Sequence, residues 1–259
     1  MRQRTIKLFT LIFLFCLSTS FLYAQGGYRL KTIVIDAGHG GRLPGAKGKI
    51  SLEKNVALAV ALKLGKRFEE DMPSVKIIQT RKTDIDVDWY KRAEMANDAK
   101  ADIFISIHCN SMPPGNGHVK GTETFVGAYR RINEMDAALK ENEDIINDKN
   151  YKKTAEAIIT DPEELIKLSL YKSLYRAKSL SLAKLVQKNY TEVNKRGNRG
   201  VKEQGLLVLQ RTAMPSILTE IGFISNIEEE KYINSDEGQA EIVDAIFKAV
   251  VQYKKEVEN

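Results

Sequence analysis

Apolar positions crowd into short, nearly unbroken runs: "KTIVIDA" (31–37), "SVKIIQTR" (74–81), "ADIFISIHC" (101–109), "GTETFVG" (121–127), "GLLVLQ" (205–210) and "PSILTEIG" (215–222). Runs without polar alternation fit strands covered on both faces. Between them the spacing turns helical. Leu52, Val56, Val60, Leu64 and Phe68 form one stripe that Ser51 is placed to cap. Trp89 to Ala99 reads as a shorter helix. A long helix is expected from "DPEEL", with Asp161 as N-cap, Pro162 in the first turn and Glu164 completing a capping box. Its apolar positions are Leu165, Leu168, Leu174, Leu182 and Leu185, toward Tyr190, and a last helix covers 238–254.

Strands alternating with helices predict one α/β domain, a twisted, mostly parallel sheet of about six strands with helices on both faces. Neither repeats nor a Pro/Gly/Ser linker divides the chain. One segment breaks the rhythm. From 128 to 160 the chain is charged, weakly helical and poor in large apolar residues, which reads as a helical insertion.

The first 24 residues have another character. A basic start (Arg2, Arg4, Lys7) precedes "LFTLIFLFCLSTSFLYA", the layout of a secretory signal peptide ending at Ala24. A retained membrane anchor is the rival, since Leu22 is large for the position before cleavage. Removal of the leader predicts a domain over 25–259, exported to the periplasm or cell envelope, with no stable membrane insertion afterwards. Cys16 would leave with it, and Cys109 alone cannot form an internal disulfide. The formal charge of +6 falls to +3 without the three basic leader residues. With no basic cluster interleaved with aromatics, nucleic acid is not an expected partner.

The chain has three histidines, and two of them end buried runs. His39 follows "IVIDAG" among Gly38, Gly40 and Gly41, and His108 closes "DIFISI". Strand ends are where α/β domains place ligands, and neutral imidazole is the commonest metal ligand. A two-histidine zinc site also wants a carboxylate and an open position. Glu53, in the first turn after the His39 loop, is the candidate; a helix-start acid also serves simply as a partner of the helix dipole. Glu220 lies in the apolar run "PSILTEIGFISN". A carboxylate there is either paired, with Arg81 or Arg211 available, or raised in pKa and useful as a general base. Asn110 is a candidate substrate contact or an ordinary turn residue, and His118 in "PPGNGHVKG" is expected to be exposed and inert.

Taken in order, "IVIDAGHGG", "SLEKNVALAVALKL", "TR" at 80–81, "RAEMAN", "SIHCNS" and "PSILTEIGFISNIEEE" resemble the zinc-dependent N-acetylmuramoyl-L-alanine amidases of bacterial cell walls. The likeness covers about 31 to 253. It implies Zn2+ held by His39, Glu53 and His108, with Glu220 catalytic, and peptidoglycan as substrate. The loop "RLPGAKG" departs from the family's usual Asp-Pro-Gly-Ala by carrying Leu43 before Pro44. Relatives acting in daughter-cell separation carry a helical insertion that blocks the zinc. The resemblance therefore implies autoinhibition by 128–160, with Glu143 first and Glu141 or Asp144 as other blocking ligands, and release by an activator protein. A zinc peptidase cutting within the stem peptide, or a non-catalytic peptidoglycan-binding regulator, are the competing functions.

Overall fold

The computed structural model describes residues 27–128 and 162–259. The leader, Asp161, and all but Ala128 of the 128–160 segment lie outside the described residues. So do Glu141, Glu143 and Asp144, and the expected capping box with them.

Six strands form one sheet: β1 (Thr32–Ala37), β2 (Lys76–Gln79), β3 (Ile103–Asn110), β4 (Thr122–Gly127), β5 (Asn198–Gln204) and β6 (Ser216–Phe223). Their order is β2-β1-β3-β6-β4-β5. Every neighbouring pair is parallel except β4 and β6. The expected mostly parallel α/β sheet is therefore what the chain forms.

The helices among the described residues are α1 (Glu53–Asp71), α2 (Trp89–Asp98), α3 (Pro162–Glu192), α4 (Leu207–Gln210), α5 (Ile227–Asn234) and α6 (Asp236–Glu258). Alternation along the strands assigns them to faces. Ile33 and Ile35, Ile103 and Ile105, and Ile217 and Ile221 pack with Val60 and Leu64 of α1, Leu182 and Val186 of α3, and Ile242 and Ile246 of α6. Val34, Phe104, Phe125 and Leu218 face the other way, against Ala96 of α2 and Val208 and Leu209 of α4. Burying each such side chain contributes about 1.5–3 kcal/mol.

Four details differ from the sequence reading. "GLLVLQ" is not a strand: Leu207–Gln210 is one helical turn tucked under the sheet, and the strand is the preceding "NRGVKEQ". That strand is the sheet's edge, so polar residues suffice there. Ser51 does not cap α1, whose N-cap is Leu52; the Ser51 hydroxyl instead donates to Glu230 Oε1 at 3.0 Å. Leu174 is 58% exposed, so the buried stretch of α3 begins further along, near Leu182. Finally, Ile227–Asn234 is a separate helix capped by Asn226, whose side chain accepts from the backbone N–H groups of Glu228 and Glu229.

Candidate metal centre

The parallel strands β1, β3 and β6 deliver their C-terminal ends to one edge of the sheet. Beyond β1 the chain turns sharply. His39 adopts φ +55, a left-handed conformation that L-residues occupy at a cost of about 1–2 kcal/mol. Two buried guanidinium groups hold it there. Arg92 donates to the carbonyl oxygens of Ala37 at 2.6 Å and His39 at 2.7 Å. Arg81 donates to those of Ala37 at 3.0 Å, Gly38 at 2.7 Å and Lys54 at 2.7 Å. Arg81, one of the two partners considered for Glu220, thus spends its donors on the His39 turn.

Asp36 completes the clamp. Its Oδ1 accepts from Arg92 Nη1 at 2.7 Å and Thr80 Oγ1 at 2.6 Å, and its Oδ2 from Ser106 Oγ at 2.6 Å. Burial pushes this carboxyl up, but Arg92 and the two hydroxyl donors outweigh it and hold it below its ordinary range.

Glu53 opens α1 and turns its carboxylate toward both histidines. Its Oε1 lies 3.2 Å from His39 Nε2 and 3.0 Å from His108 Nδ1. The backbone N–H of Cys109 donates to the same oxygen at 3.0 Å, and that of Ala46 to Oε2 at 2.7 Å. Burial raises the Glu53 carboxyl, yet the adjoining His39 and His108 hold it well below the usual range. The loop before it is pinned by Glu230, whose carboxylate accepts from the backbone N–H groups of Lys49, Ile50 and Ser51.

Two glycines keep the centre open. A Cβ on Gly38 would lie within 3.0 Å of three atoms of the His108 ring. One on Gly45, at φ +65, would come equally close to the His39 ring and Glu53 Oε2.

The ligand atoms of His39, Glu53 and His108 lie within 4.8 Å of one another. Two imidazoles and one carboxylate converge here, Glu53 and His108 buried and His39 partly so; they are the donor set of a catalytic zinc site, so the residues fit that ion. Glu220 stands opposite His108 in register on β6 and is buried. Arg211, the other partner considered for it, precedes the strand's first residue, at the far end from Glu220. Asn110 donates to Glu123 Oε2 at 3.4 Å, and its own Oδ1 accepts from the backbone N–H of Ser111 at 2.8 Å. His118 is exposed, as expected.

The sequence reading passed over Asp36, Arg92 and Glu123. Each is a charged residue that the fold buries, and Asp36 and Glu123 interrupt apolar runs, the one signal by which they could have been found.

A sequence profile described as N-acetylmuramoyl-L-alanine amidase matches residues 33–252. The amidase AmiC of Escherichia coli O6:H1 is 31% identical over 225 residues, covering 85% of this chain and 52% of AmiC. This chain thus spans about half the length of that relative. Among solved structures, an N-acetylmuramoyl-L-alanine amidase from Clostridium difficile 630 superposes with a TM-score of 0.65 at 26% identity, covering 88% of this chain and 98% of that one. The CwlD amidase of Clostridioides difficile, solved in complex with the GerS lipoprotein, gives 0.63 at 26% identity, covering 87% and 98%.

Proposed function

The chain belongs to the N-acetylmuramoyl-L-alanine amidase family, and from that premise we propose that it hydrolyses the amide joining N-acetylmuramic acid to the L-alanine of the peptidoglycan stem. The observation that supports this most is the convergence of His39, Glu53 and His108 beside Glu220. His39, Glu53 and His108 would hold the metal. When bound, zinc supplies Lewis acidity and brings the pKa of water down to about 7.

Glu220 takes the proton of the attacking water and returns it to the departing amine of L-alanine. Glu220 is buried on β6, in register with His108 of β3 on one side and Glu123 of β4 on the other. Arg81, Arg92 and Asp36 keep the His39 turn in its left-handed form, so the ligand is oriented before substrate arrives.

The working place is the periplasm or cell envelope, where peptidoglycan lies, and the role is wall remodelling at daughter-cell separation. The 128–160 segment restrains the site, with Glu143 the first choice of blocking residue and Glu141 next, and an activator protein relieves it. A partner in the solved CwlD complex, the GerS lipoprotein, supports the idea that such amidases work with a second protein.

Mass spectrometry of products from purified peptidoglycan tests the reading, with the chain and its 130–160 deletion run side by side in zinc. Free stem peptides with an intact N-terminal L-alanine, released faster by the deletion, are expected. Shortened stems still joined to muramic acid would make the enzyme a peptidase. A folded deletion no faster than the parent would remove the autoinhibition.

A further inference from the structure

Next to the centre lies a charged cluster that the proposed chemistry does not use. Glu123 is the second residue of β4 and stands directly opposite Glu220 on the antiparallel neighbour β6. Its side chain is 5% exposed, yet two cations converge on it from the edge strand. Arg199 Nε donates to Glu123 Oε1 at 2.5 Å, and Lys202 Nζ donates to the same oxygen at 3.1 Å. The second oxygen accepts from Asn110, two residues beyond His108. One carboxylate thus faces two cations, with Glu220 the neighbouring acid on β6.

The shape of the cluster matters as much as its charge. The guanidinium of Arg199 lies over the Phe223 ring, 5.1 Å from its centroid. Anchored through Nε and stacked on an aromatic face, it is oriented before any ligand arrives. Its two terminal nitrogens make no hydrogen bond among the described residues, and its side chain is 37% exposed. Lys202, 44% exposed, stands beside it. A guanidinium held this way matches a carboxylate, which it can grip through two parallel N–H donors.

From these positions we infer that Arg199, set by Glu123 and Phe223 and assisted by Lys202, is the specificity residue for a carboxylate of the substrate. This rests on the amidase reading. Neighbouring strands are about 4.8 Å apart, so β5 stands roughly 10 Å from the β6 backbone at Glu220, and the Arg199 side chain returns along part of that path. In a stem peptide the residue after L-alanine is a γ-linked glutamate with a free α-carboxylate. Consecutive Cα atoms are about 3.8 Å apart, so that carboxylate lies roughly 6–7 Å from the scissile nitrogen. It is the first anion beyond the bond to be cut, at the distance the cluster offers.

The simpler alternative is an ion cluster that only ties the edge strand to β4. Binding discriminates the two. Titration calorimetry on the zinc-loaded full chain carrying Glu220→Gln would compare N-acetylmuramoyl-L-alanyl-D-glutamate with its D-isoglutamine counterpart, in which that carboxylate is an amide. The acid is expected to bind about tenfold tighter, the scale of one charge-assisted hydrogen-bonded contact. Arg199→Gln should abolish the difference and Lys202→Gln should reduce it. Equal binding of both compounds, or a preference that survives Arg199→Gln, would overturn the inference. Product analysis on the parent separates the two levels of the argument: an acid preference lost in Arg199→Gln, with no L-alanyl peptide released by the parent, would keep the subsite and remove the amidase.

Discussion

His108 and Glu220 face each other on adjacent parallel strands, paired in register at the C-terminal ends of β3 and β6. Residues so paired share a face of the sheet, with backbones about 4.8 Å apart. An imidazole and a carboxylate are thereby fixed side by side by two rigid strands. The hydrogen-bond ladder that joins the strands also sets the spacing of the chemistry.

Ligand substitution should separate metal binding from everything else. His39→Ala removes an imidazole from a three-residue donor set. Zinc affinity, measured by competition with a chelator, should fall by more than about a hundredfold, beyond the 10–100-fold typical of losing an outer-shell partner. His118→Ala, in an exposed loop, should leave it unchanged.

Gly38→Ala tests the open space behind His108. The added Cβ meets the ring at under 3.0 Å, and Gly38 is tied through its N–H to the Ile107 carbonyl at 3.0 Å, so the ring must move. We expect zinc affinity to drop at least about tenfold, with a stability loss of about 1–3 kcal/mol. Unchanged affinity would mean that the turn relaxes more readily than the clamp by Arg81 and Arg92 implies.

The clamp has a pH signature. Asp36 is held below its ordinary pKa of 3.8 in the folded protein. A depressed carboxyl contributes stability that is full above the unfolded pKa and is lost as pH falls through the folded one. In the metal-free chain, the urea midpoint of the parent should therefore exceed that of Asp36→Asn at neutral pH. The gap should close below about pH 4. A gap that is constant with pH would place the stabilisation elsewhere.

Core and surface positions along the apolar stripes should respond differently. Leu64 is fully buried, and Leu64→Ala should cost about 2–5 kcal/mol by urea denaturation. Leu174→Ala should stay within about 0.5 kcal/mol, because that side chain is mostly in water.

Much of this arrangement was readable in advance, for a definite reason. His39 and Glu53 sit where a strand or helix meets a turn, and His108 and Glu220 lie toward the C-terminal ends of apolar strands, so local pattern marks all four. The errors occur where distant residues decide. Ser51 looks like a cap until Glu230, 179 residues away, claims its hydroxyl. "GLLVLQ" looks like a strand because it is apolar, yet its burial comes from the sheet above it, while the real edge strand "NRGVKEQ" is polar and shows no alternation. Glu123, Arg81 and Arg92 acquire their partners only when strands from separate parts of the chain align.

One variant tests both zinc binding by His39, Glu53 and His108 and proton transfer by Glu220. Glu220→Gln keeps the shape of the side chain while removing the base. Zinc content per folded chain and the rate of L-alanyl peptide release should be measured together against the parent. The account predicts unchanged zinc with turnover lower by about a hundredfold to ten-thousandfold. Full activity in the zinc-loaded variant, or loss of the metal along with the carboxylate, would contradict it.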